Sequence, residues 1–118
     1  MHPLIEKNID KIQQLGQKHH LKSLFVFGSV TTGNISDDND VDFLYEMDYR
    51  GFNFDNLDTM PFDPNKEFFD LKNELETLLQ RKVDLIANKN FRNKYFQEAV
   101  DKTKSLIFSN EGFKEVSA

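Results

Sequence analysis

Apolar residues recur at helical spacing through Leu4, Ile5, Ile9, Ile12 and Leu15, which predicts an amphipathic helix with Pro3 in its first turn. Gly16 lies near the end of that helix, and the polar stretch 17–22 reads as a link. Leu24 to Phe27 is apolar at every position and rich in strand formers, so it predicts a short strand buried on both faces. From Gly28 to Asn39 the chain turns to Gly, Ser, Thr, Asn and Asp, the composition of a loop or one short helical turn. Residues 40–47 then alternate, with Asp40, Asp42, Leu44 and Glu46 on one face and Val41, Phe43, Tyr45 and Met47 on the other.

Residues 48–65 have no period and read as a long loop holding Phe52, Phe54 and Phe62, which either fold back over the sheet or form a partner surface or lid. Asp63 and Pro64 start a second long helix, as cap and first residue, and Phe68, Leu71, Leu75, Leu78 and Leu79 give it a buried side. Val83 to Ala87 predicts a third strand with one carboxylate, Asp84, inside it. Asn90 is placed to cap a last helix lined by Phe91, Tyr95, Phe96, Ala99 and Val100. Ser105 to Phe108 is a short apolar run of undecided type, and 109–118 reads as a frayed tail. The order is helix, strand, turn, strand, loop, helix, strand, helix: one domain over 1–118 with a core of about 4–108, of α/β (α+β) class.

Composition narrows the function classes. The 118 residues are 30% charged and 38% apolar, which suits a folded domain over a disordered chain. Net charge is −5 with no basic stripe, which argues against a chain that grips long DNA or RNA by itself. Without cysteine there is neither a disulfide framework nor a thiolate metal site, as expected of a reducing cytoplasm. No stretch has the apolar length of a membrane span, and the charged N-terminal segment does not read as a signal peptide. His19 and His20, adjacent and without a third ligand near in sequence, read as solvated surface.

The chemistry concentrates between Leu24 and Glu46. Asp40 and Asp42 share a strand face, and like charges that close are costly unless a cation lies between them. A divalent ion is the usual solution. Gly28 admits close backbone approach of a ligand, and Ser29 offers a hydroxyl to phosphate. Asp84 is expensive to bury unpaired, and it joins the other two carboxylates if its strand lies beside theirs. Three such aspartates could hold two magnesium ions, one on the phosphates and one on an incoming hydroxyl.

Gly28-Ser29, ten intervening residues, then Asp40-Val41-Asp42 and a later Asp84 resemble the signature of the DNA polymerase β nucleotidyltransferase superfamily. The short chain is most similar to the minimal nucleotidyltransferases, often paired with a helical HEPN-domain partner in toxin–antitoxin modules. The resemblance implies a small mixed sheet of polymerase β palm type with helices packed on one side. It implies nucleotide contacts at Gly28, Ser29, Thr32 and Gly33, and catalysis at Asp40, Asp42 and Asp84, which would also hold two Mg2+ ions. The implied reaction moves a nucleoside monophosphate, AMP from ATP, to a hydroxyl acceptor, a tyrosine of the HEPN toxin, so that this chain acts as antitoxin. Self-association is left open.

Two departures bear on that reading. The turn carries Val30, Thr31 and Thr32 where minimal members often have basic residues, and Asn39 stands where Ser often precedes the first aspartate. Arg50, Lys66 and Arg92 are the candidates for the missing positive charge. The alternative is a weakly catalytic or non-catalytic module that neutralises a HEPN partner by contact.

Overall fold

Four strands make one mixed sheet in the order β3-β2-β1-β4. They are β1 (Leu21–Phe27), β2 (Val41–Met47), β3 (Val83–Ala87) and β4 (Ser105–Ser109), in a computed structural model that describes residues 1–32, 40–50 and 62–111. β1 lies antiparallel to β2 and β4, whereas β2 and β3 are parallel. A parallel pair needs a crossover, and α4 (Pro64–Leu79) supplies it. The undecided run at Ser105 is thus a strand that closes the open side of β1.

Strand alternation sorts the core into two layers. Leu24, Val26, Val41, Phe43, Val83 and Leu85 pack with Ile5 of α1 (Pro3–Glu6), Ile12 of α2 (Ile9–Lys18) and Leu71, Leu75 and Leu79 of α4. Phe27 and Leu44 form a second cluster with Val100 of α5 (Lys94–Thr103), and Phe25, Ile86 and Phe91 pack against it. One-sided helix packing therefore holds for α1, α2 and α4, while α5 lies over the other face. The apolar run 24–27 of β1 required this, because such a stretch must be covered on both sides.

Other expectations shift for local reasons. The first predicted helix is two, because the Asn8 side chain bonds the Leu4 carbonyl at 2.8 Å and competes with the helical ladder. Gly16 is inside α2, where a methyl group would stand 2.7 Å from Phe108 Cδ2, so its small size lets helix and sheet touch. His19 is a buried tie and not a surface group: its ring nitrogens face Glu67 at 3.0 Å and Glu74, both on α4. Its neighbour His20 stacks on Phe62, with ring centroids 4.2 Å apart.

Asp63 caps α4 as its sequence position indicates, accepting from the amides of Asn65 and Lys66. The last helix starts later than Asn90 suggests. Asn93 is its cap, accepting from the amides of Tyr95 and Phe96. The inward side is also rotated from the predicted one, with Val100 buried while Tyr95 is 85% exposed. Of the long loop, residues 51–61, including Phe52 and Phe54, lie outside the described residues. Among the described residues, no helix is long and apolar enough to cross a membrane.

Candidate active site

β1 ends at Phe27, the residue paired with Asp42 of β2. The next residue, Gly28, turns the chain with φ of +78°, a region closed to most side chains. Its missing side chain also matters for space, since a Cβ would lie 3.1 Å from Asp42 Oδ2. Gly28 donates its amide to Thr103 Oγ1 at 2.9 Å. Its carbonyl accepts from the Thr31 amide at 3.1 Å and from Thr31 Oγ1 at 2.8 Å. These bonds seat α3 (Ser29–Thr32), the short helical turn that carries Ser29.

The parallel register of β2 and β3 puts Asp42 opposite Asp84, and Val41 opposite Val83. Strands stand about 4.8 Å apart, so two in-register carboxylates on one face meet directly. The effect on Asp42, half-buried, is plain: its pKa rises from 3.8 to about 6. Burial is the largest cause. The Asp84 charge follows, then a carboxyl–carboxylate hydrogen bond to Asp84 that only protonated Asp42 can donate, and last the Asp40 charge. Asp40 is exposed, one residue before β2 begins.

Asp42 and Asp84 thus form the close pair, with Asp40 at its mouth, and among the described residues no three His, Cys, Asp or Glu side chains converge as a ready metal cage. The donor set nonetheless fits a hard divalent cation. Its groups are carboxylate oxygens, and their mutual repulsion is the force that a cation relieves. Ser29 and Thr32 stand on the adjoining turn, where the Thr32 hydroxyl donates to the Ser29 carbonyl at 2.9 Å. Gly33 lies outside the described residues.

Two proposed sources of positive charge are engaged elsewhere. Arg50 follows the far end of β2, about 20 Å along the strand from Asp42. There it donates through Nε and Nη2 to Asp48, at 3.0 and 2.7 Å, and holds that carboxyl well below the usual range, at about 2. Lys66 pairs with Asp70 along α4 at 2.7 Å. Glu46, on the Asp42 face, accepts from Ser23 Oγ and Asn88 Nδ2, both at 3.0 Å, at that same distant end. Thr103 is the residue sequence reasoning missed. It is 75 positions from Gly28, and no local pattern marks a helix-terminal threonine as a partner of the turn.

Comparison with known proteins identifies the family and the fold. The profile of the polymerase beta nucleotidyltransferase family matches residues 10–112. A Methanocaldococcus jannaschii protein assigned by name as a protein adenylyltransferase is 30% identical over 88 residues, covering 74% of this chain and 77% of its own. A second protein so named from that organism is 28% identical over 91 residues, or 75% and 79% of the two chains. Among solved structures, a minimal nucleotidyltransferase superposes with a TM-score of 0.63 at 23% identity, over 89% of this chain and 95% of that one. A chain from a toxin–antitoxin structure with AMP-PNP gives 0.60 at 19% identity, over 92% and 79%. A chain from the complex of tri-AMPylated Shewanella oneidensis HEPN toxin with MNT antitoxin gives 0.54 at 18% identity, over 94% and 77%. At these identities the structural likenesses speak for the fold.

Proposed function

The chain belongs to the polymerase beta nucleotidyltransferase family and is an enzyme of that class, and from this we propose that it moves AMP from ATP to a tyrosine hydroxyl of a HEPN-type partner and so acts as its antitoxin. The pairing of Asp42 with Asp84 beside the Gly28 turn carries this reading. In the reaction the acceptor oxygen bonds to the α-phosphorus, the bond from that phosphorus to pyrophosphate breaks, and the hydroxyl proton passes to the Asp84 carboxylate. Asp42, Asp84 and the nearby Asp40 would hold two magnesium ions. When bound, these supply charge neutralisation on the triphosphate and acidify the acceptor hydroxyl. On this reading the turn that carries Ser29 and Thr32 would contact the phosphates. We take 4–108 as the core of one catalytic domain, to which the acceptor protein brings much of its own positioning. The lack of cysteine fits action in the cytoplasm.

The test mixes purified chain, labelled ATP, magnesium and the product of the neighbouring reading frame. Label should reach a tyrosine of the partner, and Asp42→Asn or Asp84→Asn should cut transfer by at least about the ten- to hundredfold that loss of a metal ligand's supporting group costs. A tight complex with no transfer would instead establish the second reading, a contact-only antitoxin. The engagement of Arg50 and Lys66 away from the turn favours that alternative, since it leaves the triphosphate fewer cations.

A further inference from the structure

Gly28 is held from two sides. Thr31 holds its carbonyl from within α3, which any short turn could arrange. Its amide is held from α5, on the far side of the sequence, by the Thr103 hydroxyl. That hydroxyl also donates to the Ala99 carbonyl at 2.8 Å. The donation uses the only hydroxyl proton of Thr103, so a lone pair stays free for the Gly28 N–H. The helix therefore sets the hydroxyl, and the hydroxyl sets the turn.

We propose that Thr103 is a positioning residue for the nucleotide turn: it holds Gly28 in its left-handed conformation against Asp42, and so fixes Ser29 relative to the carboxylate pair. The geometry makes three demands. The Gly28 amide must be satisfied within the fold, and it donates to Thr103. The turn must not slide, since Asp42 Oδ2 lies 3.1 Å from where a Gly28 side chain would begin. And the group holding it must be a short hydroxyl on the last turn of a helix, which Thr or Ser provides and Val does not. Thr103 touches neither substrate nor reacting atoms here; it acts through Gly28 and Ser29. The proposal rests on the nucleotidyltransferase reading for its consequence, but not for the contact itself.

The test compares wild type, Thr103→Val and Thr103→Ser in the full chain, by amide hydrogen exchange at Gly28 and by the KM for ATP and kcat with the acceptor protein present. Valine keeps the branched shape and removes the hydroxyl, so packing is conserved. Gly28 exchange should quicken about fivefold or more in Thr103→Val, the scale of one lost hydrogen bond, with KM for ATP rising by a similar factor. Thr103→Ser should restore both. Unchanged Gly28 exchange in Thr103→Val overturns the contact whatever the activity. Faster exchange with unchanged KM and kcat overturns the positioning role, as does a Thr103→Ser variant that restores neither. Failure of the parent reading looks different: wild type itself transfers no label, while the exchange rates still report on Thr103.

Discussion

A carboxylate that keeps its proton up to about pH 6 is the residue-scale sign of this site. For stability the sign follows directly. Asp42 binds its proton more tightly folded than unfolded, so between pH 3.8 and about 6 the folded state holds more protons, and stability falls as pH rises through that window. Below it both states are protonated and the penalty is absent. Without divalent cations, Asp42→Asn should therefore be more stable than wild type at pH 7.5, by about 1 kcal/mol after allowance for the half-exposed side chain. The difference should fade below about pH 4, as followed by thermal unfolding across pH. A gain that persisted at pH 3.5 would point to packing instead. Gly28→Ala tests the same spot sterically. Its left-handed φ and the 3.1 Å approach to Asp42 predict a loss of about 1–2 kcal/mol in denaturant unfolding, together with weakened ATP binding.

Elements differ in how plainly the sequence announces them. β2 and the start of α4 were legible, since alternation through 41–47 marked the strand and Asp63-Pro64 the helix start. α5 was legible in kind but not in phase, because Asn90 and Asn93 are both good caps and only tertiary contact chooses between them. Asn93→Ala should lower stability by about 1 kcal/mol and Asn90→Ala by far less, in paired chemical denaturation curves. Equal losses would contradict the observed start. The run at 105–109 was ambiguous for a different reason, since a five-residue apolar segment carries too few periods to separate strand from helix. The site follows the same divide. The nearness of Gly28, Asp42 and Asp84 was legible, because carboxylates on two strands meet when those strands pair and the glycine turn follows the strand beside them. Thr103 was not, because its role depends on where a helix ends over a sheet. His19 was misread as surface since burial came from two glutamates on another helix.

At the scale of the whole molecule, the sheet is a frame whose two central strands bring the candidate site's groups to one end. β1 brings Gly28 and β2 brings Asp42, and the parallel partner β3 sets Asp84 in register with it. On the proposed function a cation there would bind the folded chain and not the unfolded one, so magnesium should raise the melting temperature. At a hundredfold excess over its dissociation constant the gain is about 2.7 kcal/mol. Asp42→Asn should lose most of it, and differential scanning calorimetry with and without magnesium reads both.

The place of β4 in the sheet has a consequence for how the chain is made. β1 and β2 can pair as soon as residue 47 has left the ribosome, yet β1 keeps one open edge until 105–109 follow. Thr103 emerges in the same late stretch. Until then the nascent protein displays a strongly apolar strand with one open edge beside an unfinished turn, a species that invites chaperones and that should hold no nucleotide.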